Sequence, residues 1–140
     1  MKHRIARMRR MCKALELEGA DILDKYTDDQ LAEIYNGIGP DSFPKWLVRL
    51  LDHTSPSMGP VCMLHDVEWH ESDGTRKTFK ATNRRLISNG RIIASKMYEW
   101  YNPRRYAVKL DAWILGTACQ QWGWSIYKDY GKPFGMMLRP

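Results

Sequence analysis

The string Val61-Cys62-Met63-Leu64-His65-Asp66-Val67-Glu68-Trp69 sets a histidine beside an aspartate in an otherwise largely apolar stretch. On a helix the two side chains diverge by about 100°, so they can serve neighbouring tasks without competing for one partner. A neutral imidazole placed there can take a proton from water, and a carboxylate beside it can hold a hard cation. The same dipeptide also fits a hydrogen-bonded core histidine next to a surface acid, and the pair by itself does not choose.

Its surroundings narrow the choice. Upstream, Gly37-Ile38-Gly39-Pro40 must be irregular, because two glycines admit positive φ and proline removes a donor, and several carbonyls are exposed within a few residues. Downstream, the turn signal Glu71-Ser72-Asp73-Gly74 leads into a long helical stretch containing Phe79-Lys80-Ala81-Thr82-Asn83-Arg84-Arg85-Leu86. This order of carbonyl-rich loop, Cys-x-x-His-Asp-x-x-Trp helix, turn and second helix resembles the phospholipase A2-like superfamily. It is most similar to the small phage-encoded members, which lack the disulfides of secreted enzymes. The resemblance covers about residues 35–125.

The resemblance implies a mainly α fold, with a core of two long antiparallel helices and short accessory helices. It implies that Tyr35-Asn36-Gly37-Ile38-Gly39-Pro40 is a calcium loop in which Asn36, Gly37 and Gly39 join Asp66 as metal ligands. His65 would be the base, and calcium would polarise the sn-2 ester of a glycerophospholipid and stabilise its oxyanion. Asn83 stands where the family has the aspartate that orients the histidine. An amide oxygen accepts a hydrogen bond but brings no full charge to an imidazolium, so this departure lowers or abolishes the implied activity.

Two readings therefore stay open: a calcium-dependent lipid esterase, or a non-catalytic phage protein that uses the scaffold to bind a protein partner, a virion component or nucleic acid. A metal-dependent phosphohydrolase would need further ligands, for which His53 and Asp111 are the only loose candidates, and an HNH nuclease lacks a histidine after Asn83. His70 reads as a helix C-terminal residue favoured by the dipole.

With 140 residues the chain has the length of one compact unit. No run of about 18 apolar residues could span a bilayer, and no apolar core follows the basic start as a signal peptide requires, so a cytoplasmic or virion-associated location is expected. Cys12, Cys62 and Cys119 show no CxxC spacing and read as buried thiols.

The net charge of +6 is uneven. Residues 1–13 hold Lys2, Arg4, Arg7, Arg9, Arg10 and Lys13 with no acid, whereas residues 14–41 hold eight acids against Lys25 alone. This basic leader, a helix or arm over residues 1–26, is expected to dock on an anionic membrane, a phage or host protein, or nucleic acid, or else to be a solvated helix face. Residues 27–140 then form the helical domain. Aromatic residues interleaved with basic ones from Tyr98 to Trp124 could stack bases, but helical junctions more often pack such rings into core or rim.

Periodicity and punctuation predict the elements. A first helix is expected over about residues 3–25, weakened at Gly19. A capping box at Thr27 should open a short helix to Tyr35, and another should run from Pro44 to Leu51. Pro60 starts a helix to His70 that buries one face through Val61, Leu64 and Val67 or Glu68. The longest runs from Lys77 to Tyr101, with Phe79, Leu86, Ile93, Met97 and Trp100 inward, Gly90 interrupting it and Pro103 ending or kinking it. A last helix covers Arg105 to Trp122, and an aromatic tail from Gly123 wraps on the core.

Overall fold

The computed structural model describes residues 2–35, Lys45, Arg49 and residues 54–130. It is mainly α, with no strand among the described residues. Helices α1 (Lys2–Ala14) and α2 (Asp28–Ile34) come first, followed by α3 (Gly59–His70), α4 (Arg76–Met97), α5 (Pro103–Trp122) and α6 (Trp124–Tyr130). Short 3₁₀ segments at Ala20–Lys25 and Pro56–Met58 lead into α2 and α3. The expected calcium loop, Asn36, Gly37 and Gly39 included, and the expected helix over residues 44–51 lie outside the description apart from Lys45 and Arg49.

The first helix is shorter than its periodicity suggests. It stops at Ala14, and Gly19 adopts φ 82°, which favours glycine and turns the chain into the 3₁₀ segment. Thr27 closes the expected capping box with Gln30: the Gln30 amide donates to Thr27 Oγ1 at 3.2 Å, and Gln30 Oε1 accepts from the Thr27 amide at 2.8 Å.

Helix α3 buries more than the single face its sequence suggests. Val61, Met63, Leu64, His65, Val67, Glu68 and Trp69 are all buried. Ile5, Met8 and Cys12 of α1 and Leu23 of the 3₁₀ segment join the core cluster on one side, and Leu86 and Ile93 of α4 join it on the other. Coverage from both sides explains why α3 tolerates so little polar surface.

Helices α4 and α5 pack along their length without interruption at Gly90. A Cβ at Gly90 would overlap that of Ala112, and one at Gly116 would press on Ile87, so the glycines let the two backbones approach. Met97 and Trp100, expected inward, are exposed by 42% and 70% because α4 ends at Met97 and Tyr98 is extended. Pro103 opens α5 at its first turn rather than ending α4, and Asn102 caps that turn by accepting from the Arg104 amide. Beyond Gly123, α6 brings Tyr127 against Trp69 and Phe79 and Trp124 against Phe79, so this stretch of the aromatic tail packs on the core. No helix among the described residues is long and apolar enough to cross a membrane.

Candidate functional site

Helices α3 and α4 run antiparallel, so residues 65 and 69 on one meet residues 83 and 79 on the other. His65 Nε2 lies 2.9 Å from Asn83 Oδ1, and Asn83 Nδ2 donates to Gln120 Oε1 of α5 at 3.0 Å. An amide oxygen can only accept, so this pairing makes Nε2 the protonated ring nitrogen and leaves Nδ1 with the lone pair. In this tautomer Nδ1 is the atom that could take a proton.

Its environment is dry. His65 is 5% exposed, and the Trp69 ring packs 4.9 Å from its own, held there by a 3.0 Å bond from Trp69 Nε1 to Thr82 Oγ1. Burial pushes the imidazole pKa down to about 4, opposed by the Asn83 hydrogen bond and assisted by the nearby Arg85 cation. His65 is therefore neutral at neutral pH, and weakly basic.

Asp66 projects away from this pair, as helical geometry demands, and is half-buried. Its charge raises the pKa of Tyr35 and Cys62, behind the larger effect of burial in each. Of the expected calcium ligands it alone is described, and no group of three His, Cys, Asp or Glu side chains suited to a metal exists among the described residues. Calcium takes six to eight oxygens; Asp66 would supply one carboxylate, and the other expected ligands, Asn36, Gly37 and Gly39, lie outside the described residues.

The basic leader divides. Arg9 is partly buried and engaged: Nη1 donates to the Leu23 carbonyl at 2.9 Å, Nη2 to the Tyr26 carbonyl at 2.6 Å, and Nε to Asp28 at 3.0 Å. It is a strut between α1 and the next two elements. Lys13 bridges Asp21 and Asp24, and the Arg4 guanidinium lies over the Tyr35 ring at 5.7 Å. Arg7 and Arg10 are exposed, and Lys2 lies in the first turn of α1. Asp111 accepts the Ser55 amide at 3.0 Å, a capping role rather than a ligand's.

Two buried polar residues take roles that periodicity does not assign: Glu68, which it offers for the buried face only as an alternative to Val67, and Asn89. Glu68, one turn from His65 and 8% exposed, pairs with Arg85 at 2.6 Å, and burial still pushes its pKa up to about 7. Asn89 is 1% exposed and clamps the turn after α1, accepting from the Glu18 amide at 2.7 Å and donating to the Glu18 carbonyl at 3.1 Å. The signal for Glu68 was an acid in an apolar helix with arginines 16 and 17 residues on; Asn89 gave none. Comparison with protein-family models, with curated proteins and with solved structures found no match to this chain.

Proposed function

We propose that the chain is a phospholipase A2-like protein of the small phage-encoded type, in which His65 acts as a weak general base in the hydrolysis of a glycerophospholipid ester. The observation that carries this reading is the bond from His65 Nε2 to Asn83 Oδ1 across two antiparallel helices, which leaves Nδ1 as the acceptor. In the step envisaged, Nδ1 takes a proton from water as the water oxygen bonds to the ester carbonyl carbon. The proton then passes to the departing alcohol oxygen, and the imidazole returns neutral.

Asn83 sets the rate. The imidazolium formed in the transition state meets an amide dipole where a carboxylate would give a counter-charge, and Arg85 opposes it further. The reaction is accordingly slow, and Asn83→Asp should raise it at least about tenfold, one pKa unit of added stabilisation being worth about 1.4 kcal/mol.

The test is fatty-acid release from phosphatidylglycerol vesicles by the wild type, His65→Ala and Asn83→Asp, each with calcium and with chelator. Release that is lost in His65→Ala and raised in Asn83→Asp is the expected result. Release unchanged by His65→Ala would overturn it. A second reading, a binding scaffold in which His65 is a structural polar link, is favoured by the 5% exposure and low pKa of that ring. It predicts background rates throughout.

A further inference from the structure

Among the described residues, unanswered positive charge also gathers on the face formed by α4 and α5, on helices other than the leader. Helix α4 carries seven Lys or Arg and no acid, and α5 carries three with Asp111 alone against them, already turned to Ser55. Some of these cations are occupied: Arg85 by Glu68, Arg76 by the Trp124 ring at 4.2 Å, and Lys96 by the Leu15 carbonyl. Lys80, Arg84 and Arg91 are exposed and form no ion pair among the described residues. With Ile87 they recur at spacings of four, three and four, which places them in one stripe along α4.

Helix α5 presents a matching stripe of different chemistry. Tyr106, Leu110 and Trp113 stand at the same spacing and are exposed by 53%, 55% and 54%. One turn further on, Thr117 joins Lys80, Arg84 and Gly116 around a groove of about 350 Å³ between the two helices. The face thus combines unpaired cations, an amphipathic aromatic pair, an aliphatic side chain at its centre and a groove flanked by Lys80 and Arg84.

We propose that this α4–α5 face docks on an anionic phospholipid bilayer, with Tyr106, Leu110 and Trp113 entering the headgroup boundary and Lys80, Arg84 and Arg91 meeting lipid phosphates. Cations without neighbouring acids complement an anionic leaflet, each contributing about 1 kcal/mol near the surface, and Trp and Tyr settle at the headgroup level. Leu110 decides against a nucleic acid: an aliphatic side chain gains by entering hydrocarbon and offers no ring for a base to stack on. The inference stands on this face alone and does not depend on hydrolysis at His65.

Flotation with vesicles of ether-linked phosphatidylglycerol and phosphatidylcholine in equal parts tests it, since ether lipids read docking without ester cleavage. The wild type should float with these vesicles, release at high salt, and stay behind with phosphatidylcholine alone. Arg84→Glu with Arg91→Glu should weaken binding about thirtyfold or more, and Leu110→Ala with Trp113→Ala about tenfold. Arg7→Glu with Arg10→Glu makes the same change in net charge on α1 and should weaken it less than about threefold, since those residues lie off the face. Equal loss in the two arginine pairs would reduce the effect to net charge and overturn the proposal. So would absence of vesicle binding, including the case in which a single-stranded oligonucleotide binds instead and is lost in the Arg84 and Arg91 variant.

Discussion

Arg9 and Arg84 are both arginines in basic helical stretches followed by a second arginine, and the fold uses them in opposite ways. Arg9 turns inward and satisfies two carbonyls and a carboxylate at the junction of α1, the 3₁₀ segment and α2. Arg84 stays exposed on α4 at the edge of a groove. What differs is the material within reach. Acids and the open carbonyls of a helix end lie beside α1, whereas α4 packs its other sides against α3 and α5, where Glu68 and Asp111 are already engaged and Asp66 projects away from the contact of His65 with α4. A count of positive residues therefore gives the net field but not the face that presents it.

The inward use of polar groups can be broken by protonation, and His65 offers the largest effect. Its pKa is lowered from 6.5 to about 4, so the stability it contributes is fully present above about pH 6.5 and lost as pH falls through about 4. The loss amounts to about 3 kcal/mol. Glu68 works in the other sense: its pKa is raised from 4.5 to about 7, so its contribution is present below 4.5 and lost as pH rises through about 7. His65→Gln keeps Glu68 and removes only the first effect. Urea unfolding of both proteins at pH 7 and pH 4 should show the wild type losing about 3 kcal/mol more than the variant over that interval, and parallel behaviour would mean that the ring is not held neutral.

Arg9→Ala comes next. It removes three charge-assisted hydrogen bonds from a partly buried site and leaves the Leu23 and Tyr26 carbonyls without that donor. A loss of about 2 kcal/mol is expected in denaturant titration. A loss near zero would return Arg9 to the solvated leader and dissolve the contrast with Arg84.

How much of this could be read beforehand follows the range of the interactions. The Thr27 capping box and the helix start at Pro60 depend on residues within four positions, and both are legible. The juxtaposition of His65 with Asn83 is legible only through the family resemblance, which sets the residue that orients the histidine on the second helix. Burial of α3 on both sides is not legible from its own pattern, because it depends on α1 and the 3₁₀ segment folding over it. Met97 and Trp100 keep helical period in the sequence, but the chain leaves the helix at Tyr98 and carries Trp100 outward. The basic face escaped for a related reason. Its cations alternate along α4 with the core residues Phe79, Leu86 and Ile93, and separate from them only when the helix is projected.

The outward face itself rests on close approach of α4 and α5. Gly90→Ala would gain about 1 kcal/mol in an exposed helix, but here the added methyl meets Ala112 and must push the helices apart, an overpacking cost of about 1–3 kcal/mol. A net loss of about 1 kcal/mol is expected, together with weaker vesicle docking as the two stripes lose register. A gain in stability would place the helices further apart than the packing of Gly90 on Ala112 requires.

The smallest effect is the most diagnostic. Arg84→Ala removes an exposed side chain with no ion pair among the described residues, so its stability should stay within about 0.5 kcal/mol of wild type. Set beside Arg9→Ala, it asks whether two arginines of equal charge differ by about 1.5 kcal/mol in what they give the fold. If they do, and if Arg84→Ala nonetheless weakens vesicle flotation while Arg9→Ala at permissive temperature does not, then the two residues have exchanged roles between stability and contact. If Arg84→Ala costs as much as Arg9→Ala, its charge is spent inside the molecule, and the α4–α5 face has less to offer a membrane than its exposure suggests.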